Sequence, residues 1–337
     1  MKNDVQVSIY CLAYNHEKYI RKTLDGFVSQ ITGFKYEIIV HDDASTDKTA
    51  EIIREYEAKY PDLFRPIYQT ENQHSKGIEI GRTYIVPRAK GKYIAMCEGD
   101  DYWTDNYKLQ KQYDALENNL NCSMSTHLVM CCNEDGTDNP RVIPSRQFRV
   151  KHTGVITKDV IKQLLWIRGS YPFHTSSYFV RKEVMLEPVN IKRDIAILRK
   201  ALIHGDFYYF AEGMSVRRLN SIGNFNSVLR GQGIDGKVRL SLSNIEYDQI
   251  FDKYTDYAYH KEISAFAFKS ILEWSQYRPN EAISKLEELS LSYAKVRKEL
   301  LYYQKIKYGM KYFKLKIGMK AGILHDVRGT DNGKHKK

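Results

Sequence analysis

Two short apolar runs that each end on a pair of aspartates constrain this chain more than any other feature. The later run lies in Gly91-Lys-Tyr-Ile-Ala-Met-Cys-Glu-Gly-Asp-Asp-Tyr-Trp103. Lys92 to Cys97 reads as a buried strand that runs directly into Glu98, Asp100 and Asp101. Two like charges about 4 Å apart cost roughly 4 kcal/mol at an effective dielectric near 20. A divalent cation removes that cost, and hard cations such as Mg²⁺ and Mn²⁺ take carboxylate oxygens. The carboxyl ends of strands in an open α/β sheet are also where ligands bind. The alternative is an acidic turn capping a helix that begins near Asn106.

The earlier run repeats the arrangement. Val5–Leu12 reads as a first buried strand ending at Ala13-Tyr14-Asn15, followed by a helix over 17–30 with Ile20, Leu24, Phe27 and Val28 on one face. Tyr36–Val40 makes a second strand and leads into His41-Asp-Asp-Ala-Ser-Thr-Asp47. Ser45 or Thr46 is expected to cap the next helix, which turns Ile52, Ile53 and Tyr56 inward and stops before Pro61. Arg65–Thr70 is a third strand and Lys92–Cys97 a fourth. Alternation of this kind implies right-handed crossovers and a parallel sheet. No glycine-rich dinucleotide fingerprint follows the first strand and no P-loop occurs anywhere, which disfavours both enzyme classes.

At 337 residues the chain accommodates one large domain with an appendage. No apolar run approaches the roughly 20 residues of a membrane span, and Met1-Lys-Asn-Asp lacks the apolar core of a signal peptide. Cys11, Cys97, Cys122, Cys131 and Cys132 sit among apolar neighbours without zinc-ligand spacing, the pattern of reduced, buried thiols in a cytoplasmic protein. The net charge of +11 resides in the tail: from Lys295 onward 13 Lys and Arg face only Glu299, Asp326 and Asp331.

With both acidic strand ends located, the first 120 residues resemble a family 2 glycosyltransferase of GT-A fold, of the bacterial polysaccharide-synthesis kind. The resemblance rests on Val7-Ser-Ile-Tyr-Cys-Leu-Ala-Tyr-Asn15, His41 to Asp47, Gly91 to Trp103 and Lys108-Leu-Gln-Lys-Gln112. It implies a mostly parallel nucleotide-binding sheet, an α/β architecture with a C-terminal helical appendage. The transferase domain would cover 1–235, with the nucleotide-sugar half in 1–120 and the acceptor half in 121–235. A helical appendage over 236–303 and a basic tail over 304–337 would follow.

The resemblance also implies roles. Ala13, Tyr14 and Asn15 would line the nucleotide pocket, and Asp43 or Asp42 would accept hydrogen bonds from base and ribose. Asp101 would ligate Mg²⁺ or Mn²⁺ bridging the diphosphate, with Asp100 and Glu98 beside it and Trp103 closing the motif. Arg82 and Arg218 would meet the diphosphate. Asp194, in the first turn of a helix over 192–205, would deprotonate the acceptor; the family commonly has Gly-Asp where this chain has Arg193-Asp194. Asp206 and Asp235 are the fallback bases. Phe173–Arg181 reads as a strand with His174 near its start, placed to hydrogen-bond acceptor or phosphate. Met214–Leu219 resembles the family strand ending in Tyr-Arg, with Arg217 in place of Tyr. A glycine-containing loop over 221–236 would close over the donor.

The implied chemistry is metal-dependent, inverting transfer from a nucleotide sugar, UDP by default, to a glycan or lipid-linked acceptor. Two alternatives stand beside it: a membrane-attached sugar-nucleotide sensor without turnover, and a sugar-1-phosphate nucleotidylyltransferase. The latter wants a basic glycine-rich loop where Ala13 to Glu17 lie. After Asn244 the pattern is helical, over 244–259, 261–277 and 281–303. From Ile306, Met310, Phe313, Ile317, Ala321 and Leu324 share one helix side, with Lys307, Lys311, Lys314 and Lys316 beside or opposite them. Such a helix suits an anionic membrane surface, placing the protein on the inner face of the cell membrane. The near-neutral body offers no surface for nucleic acid.

Overall fold

In the computed structural model, which describes residues 4–145, 151–167, 172–189, 195–219 and 232–320, the acidic run at Asp100-Asp101 follows a central strand. The strands are β1 (Val5–Ala13), β2 (Lys35–Asp42), β3 (Ile67–Tyr68), β4 (Tyr93–Met96), β5 (Tyr102–Trp103), β6 (Cys122–Cys132), β7 (Asp138–Ile143), β8 (Gly154–Ile156), β9 (Phe179–Arg181) and β10 (Asp206–Arg218). They form one mixed sheet in the order β3-β2-β1-β4-β9-β6-β10-β5, with β7 added to β6 and β8 to β10. β1 pairs in parallel with β2 and β4, and β2 with β3. β9 runs antiparallel between β4 and β6, and β6 runs parallel to β10.

Helices α1 (Ile20–Val28), α2 (Thr49–Lys59) and α3 (Lys108–Asn118) lie in the crossovers of the first half. Their apolar sides meet alternate residues of the strands. Ile20, Leu24 and Phe27 of α1 are fully buried with Val7, Ile9 and Cys11 of β1 and Ile38 and Val40 of β2. Each such side chain contributes roughly 2 kcal/mol by leaving water. Short helices α4 (Lys158–Lys162) and α5 (Lys182–Leu186) and the longer α6 (Ile195–His204) belong to the second half of the sheet region.

The described chain separates into two compact units. The first holds 4–161, 172–188 and 195–219, the second 162–167, 189 and 232–320. The second is helical: α7 (Gly233–Tyr254), α8 (His260–Trp274), α9 (Pro279–Glu288), α10 (Tyr293–Val296) and α11 (Tyr302–Lys320). Its core gathers Val238, Ile245, Phe268, Ile271, Leu272, Leu286 and Leu315 around a π-helical turn over Gln163–Ile167. Trp166 of that turn donates its indole N–H to Asp248 at 2.9 Å, and Lys269 donates to the Trp166 and Ile167 carbonyls. No helix among the described residues is long and apolar enough to cross a membrane.

Several expectations are corrected. The second crossover helix is preceded by Lys48 rather than capped by Ser45 or Thr46, and the Asp47 carboxylate takes the Thr49 N–H at 2.9 Å. Phe173–Arg181 begins with a 3₁₀ turn over Thr175–Ser177 and becomes strand only at Phe179. The Met214–Leu219 strand is the end of a 13-residue strand starting at Asp206. Gly233 and Gly236 are in α7 rather than a loop, and a turn at Leu289–Ser292 divides the helix expected over 281–303. All five cysteines are buried and unpaired.

Candidate active site

The site is assembled where β2, β1 and β4 end side by side. Asp42 stands opposite Ala13 in the β1–β2 register, and the Asp43 N–H donates to the Ala13 carbonyl at 2.9 Å. Beyond this point side chains of each loop bind the backbone of the other. Asn15 N–H donates to Ser45 Oγ at 2.9 Å, and Thr46 N–H donates to Asn15 Oδ1 at 2.8 Å. His16 N–H donates to Thr49 Oγ1 at 2.7 Å and Glu17 N–H to Asp47 Oδ2 at 3.0 Å. Asn15 adopts φ 54°, a left-handed conformation that Asn tolerates better than most residues. Tyr14, between these anchors, is 44% exposed with its ring free to meet a planar ligand.

The paired aspartates are buried and engaged. Asp43 accepts the Gln73 and His74 N–H groups at 2.8 and 3.0 Å, one on each carboxylate oxygen, and so fixes the chain after β3. Asp42 accepts the Ser45 hydroxyl at 2.5 Å. Burial raises the Asp42 carboxyl above its ordinary value, against the pull of Ser45.

On the other flank of β1, the Glu98-Gly-Asp-Asp101 loop crosses directly over the strand end. Gly99 N–H donates to Leu12 O at 2.8 Å. A Cβ at Gly99 would stand 2.7 Å from His16 Nδ1 and 3.0 Å from Ile20 Cδ1, so only glycine lets the loop lie this close. His16 is the joint between the two acidic tips. Burial lowers its ring pKa while the negative charges of Asp100, Asp47 and Asp42 oppose that, so carboxylates of both tips reach it. Its Nδ1 is buried without a hydrogen-bond partner among the described residues.

Asp101 is 2% exposed. Its Oδ1 accepts the Arg218 N–H at 2.8 Å, its carbonyl accepts the Thr23 hydroxyl at 2.6 Å, and His174 Nδ1 lies 3.6 Å from Oδ2. Burial, then repulsion from Asp100, pushes the Asp101 carboxyl well above the usual range. Burial, then the Arg217 charge, pushes the His174 ring well below its own ordinary value, and its Nδ1 accepts the Ser176 N–H at 3.4 Å. Arg218 is held from behind: its guanidinium donates to Glu134 O at 2.8 Å and lies 4.6 Å over the Tyr19 ring.

Trp103 and the Lys108–Gln112 segment, both part of the motifs that carry the resemblance, hold the His174 turn from below, a role that the sequence did not assign them. Lys108, fully buried, donates to Gln112 Oε1 at 2.5 Å and lies 4.1 Å over the Trp103 ring. Gln112 donates on to Ser177 O at 3.0 Å, and Trp103 Nε1 donates to Ser176 O at 3.1 Å. The Lys108–Gln112 segment and Trp103 thus form the buried underside of the His174 turn. Lys108 and Gln112 lie one helical turn apart on one face of α3, which lets them meet.

The two fallback bases are each tied to partners of their own. Asp206 accepts the Lys158 N–H at 2.8 Å, and Asp235 pairs with Arg278 inside the helical unit. Arg82 sits exposed on a π-helical turn over Gly81–Ile85, and Glu98 is half-buried, with its carbonyl accepting the Asp101 N–H at 3.1 Å. Asp194, Arg193, Gly223 and Gly231 lie outside the described residues.

A divalent cation fits the chemistry of this donor set. Two buried carboxylates on adjacent residues repel, and a neutral imidazole stands 3.6 Å from one of them. No group of three or more such ligands is preassembled among the described residues. An ion at Asp101 would therefore complete its shell from phosphate and water, as Mg²⁺ commonly does.

The sheet, with acidic tips on both sides of its first strand, is of the open α/β class that binds ligands at its strand ends, and comparison with known proteins narrows that class. The family model for glycosyl transferase family 2 matches residues 8–178, and the chain belongs to that family. An uncharacterized protein of Mycobacterium tuberculosis is 45% identical over 138 residues, 41% of this chain and 39% of that protein. The putative teichuronic acid biosynthesis glycosyltransferase TuaG of Bacillus subtilis is 33% identical over 132 residues, 39% of this chain and 49% of TuaG. The chain thus spans half or less of the length of these two relatives. The crystal structure of S. aureus TarS 1–349 in complex with UDP-GlcNAc superimposes with a TM-score of 0.54 at 16% identity, covering 94% of this chain and 92% of that one. The fold is therefore GT-A, a mixed sheet with a C-terminal group of helices.

Proposed function

We propose that the protein transfers a sugar from a nucleotide sugar, with UDP as the expected carrier, to a hydroxyl of a glycan or lipid-linked acceptor in surface polysaccharide synthesis. The observation that carries this reading is the placement of Asp42-Asp43 and Asp100-Asp101 on the two flanks of β1, with His16 in reach of both. TuaG and the UDP-GlcNAc complex of TarS support it at the level of family and fold. We assign the donor half to 1–120, the acceptor half to 121–235, an appendage to 236–303 and the tail to 304–337.

In this mechanism Ala13, Tyr14 and Asn15 receive the base, and Asp42 and Asp43 face base and ribose. Asp101, with Asp100 and Glu98 beside it, would hold Mn²⁺ or Mg²⁺, and the bound ion would supply positive charge to the departing diphosphate. Arg218, with Arg82 as a second cation, offsets the same charge. His174 donates or accepts a hydrogen bond at the phosphate or acceptor side. Asp194 takes the proton from the acceptor hydroxyl, whose oxygen attacks the anomeric carbon. The bond to the diphosphate oxygen breaks on the opposite face, and the configuration inverts.

The tail supplies location. Along α11, Tyr302, Ile306, Met310, Phe313 and Ile317 are 81, 51, 61, 55 and 67% exposed. They fall on one side of the helix, opposite Leu301, Gln304, Tyr308, Leu315 and Met319, which pack on the helical core or are buried. Between Tyr302 and Lys320 the helix has six lysines and no Asp or Glu. Lys307 and Lys311 pair with Glu273 and Lys316 with Glu287, which leaves Lys305, Lys314 and Lys320 outside these pairs. This surface docks on an anionic bilayer, the inner face of the cell membrane.

The test is hydrolysis of UDP-sugars without acceptor, with and without Mn²⁺. Slow, metal-dependent release of UDP is expected, and Asp101→Ala should reduce it at least about a hundredfold. Asp194→Asn should spare hydrolysis and remove transfer. Unchanged metal-dependent turnover in Asp101→Ala would refute the assignment.

A further inference from the structure

Resting on the reading above, we infer that Arg141 and Arg217 form an anion-binding site beside Asp101 and His174, and that the acceptor therefore carries a phosphate or carboxylate group.

The site begins with an irregularity in the sheet. Cys131 on β6 stands opposite Arg217 on β10 and opposite Asn139 on β7. The β6–β7 register shifts between Met130 and Cys131, so Pro140 and Arg141 are extra residues on β7 with no partner across the ladder. Such a bulge bends its strand and re-aims a side chain. Here it brings Arg141 to a cavity of about 380 Å³ that Arg217, Cys131, Val142, Ile143 and Leu219 also line.

Two guanidinium groups facing one cavity repel unless an anion lies between them. Neither Arg141 nor Arg217 forms an ion pair or side-chain hydrogen bond with any described residue, whereas Arg181 and Arg218 are each tied to several backbone carbonyls. Past Asp138 the local sequence adds no acidic residue, and Asp101, which the Arg217 charge reaches, is itself buried. From Asn139 to Lys158 there are Arg141, Arg146, Arg149, Lys151 and Lys158 and no Asp or Glu, and from Arg217 to Ile234 again no Asp or Glu. A planar fork with fixed donors suits the oxygens of phosphate and carboxylate.

Its position decides which substrate carries the anion. Ser215 precedes Arg217 by two residues on β10 and so shares its face of the sheet. Ser215 Oγ is 2.9 Å from Ser176 Oγ, which is 3.1 Å from His174 Nδ1. Arg218 points to the opposite face, toward Tyr19 and Tyr102 on the donor side. Adjacent arginines thus serve two faces, with Arg218 turned to the donor and Arg217 to the side from which His174 is approached. The Arg217 charge also reaches Asp101 and His174. An acidic group seated on Arg141 and Arg217 anchors the acceptor next to the reacting centre, and a neutral glycan lacks that anchor.

The experiment titrates the full chain, saturated with UDP and Mn²⁺, with glucose 6-phosphate, glucuronate and glucose, followed by calorimetry or ligand-observed NMR. At least one acid should bind about ten-fold more tightly than glucose, the order of factor that one charge-assisted hydrogen bond confers. The better acid tells phosphate from carboxylate. Arg141→Gln/Arg217→Gln should abolish the preference, and Arg141→Lys/Arg217→Lys should retain part of it. Arg141→Gln alone, at an exposed bulge, serves where the double variant does not fold. Equal binding of all three sugars, or a preference that survives the Gln variants, overturns the proposal. So does a loss of UDP affinity in the Gln variants equal to their loss of acid binding, which would place both arginines on the donor. Absence of UDP binding by the unaltered protein counts against the transferase reading alone, because the acid-against-glucose comparison is then read without UDP.

Discussion

Gly99→Ala tests the joint between the two acidic tips most directly. The added Cβ would meet His16 Nδ1 at 2.7 Å, Ile20 Cδ1 at 3.0 Å and Leu12 O at 3.2 Å. Ordinary contacts begin near 3.4 Å, so the loop or the ring must yield by roughly 0.7 Å. Ile20 Cδ1 is the end of a flexible side chain and moves cheaply. His16 is less free, because its N–H is tied to Thr49 and its ring is enclosed. Overpacking of this size costs about 1–3 kcal/mol, a melting temperature lower by several degrees. The displacement falls on Asp100 and Asp101, where an error near 1 Å lowers turnover about a hundredfold. Thermal unfolding and metal-dependent UDP-sugar hydrolysis read the two effects separately. Gly33→Ala, whose Cβ meets only Gln110 Oε1 at 3.6 Å, is the neutral control. In a His16→Ala background Gly99→Ala should lose most of its stability cost, since the tightest clash is gone. If the cost is the same with or without the His16 ring, His16 is not what keeps Ala out, and the joint is misread.

Three more outcomes are expected. Burial lowers the Lys108 ammonium to about 7, far below its ordinary value, so between about pH 7 and 10 the unfolded chain holds a proton that the folded one lacks. Stability should rise with pH in that window, and Lys108→Met should lower the slope by one proton, about 1.4 kcal/mol per pH unit, in urea unfolding at stepped pH. Glu273 is held at about 2 because Lys307, Lys311 and Tyr308 outweigh its burial. Its contribution is present above the unfolded carboxylate value of about 4.3 and lost as pH falls toward 2. Glu273→Gln should weaken α11 by about 1 kcal/mol at neutral pH after solvent screening, seen as earlier proteolysis near Lys307. Met310→Ser/Phe313→Ser/Ile317→Ser should reduce sedimentation with anionic vesicles by about a hundredfold or more, at roughly 1.5–3 kcal/mol per large apolar side chain. Equal sedimentation of the triple variant would remove α11 from the membrane.

The first half of the fold was legible because its strands are uniformly apolar and its helices keep a clean 3.6-residue period. β1, β2, β4, α1 and α2 fall where the pattern puts them, within a few residues. β6 gave no such signal. Ser123, Ser125, Thr126 and His127 are all buried along it, so a central strand reads as polar. Strand β10 hides for a related reason: Glu212 and Gly213 interrupt its apolar alternation where its register with β6 shifts. In the site, aspartates at strand ends announce themselves by type and spacing. His16, Thr23 and Gln112 do not, because their work is to bind backbone and carry neighbours. The tail helix shows the limit of periodicity: it is apolar on two opposite faces, and one of them, with Tyr308 and Leu315, belongs to the core.

Every thiol in the protein lies in or directly beside the sheet, on or next to β1, β4 and β6, and none is more than 4% exposed. Alkylation can therefore proceed only when a strand pulls away from its neighbours, so the chain carries its own set of opening reporters. Cys131 and Cys132, next to the bulged strand β7, should react before Cys11 and Cys97, which burial pushes furthest from the reactive thiolate. A ligand that clamps the ends of β1 and β4 would then slow the labelling of Cys11 and Cys97 in particular, and mass spectrometry of the modified peptides would register occupancy with no turnover required.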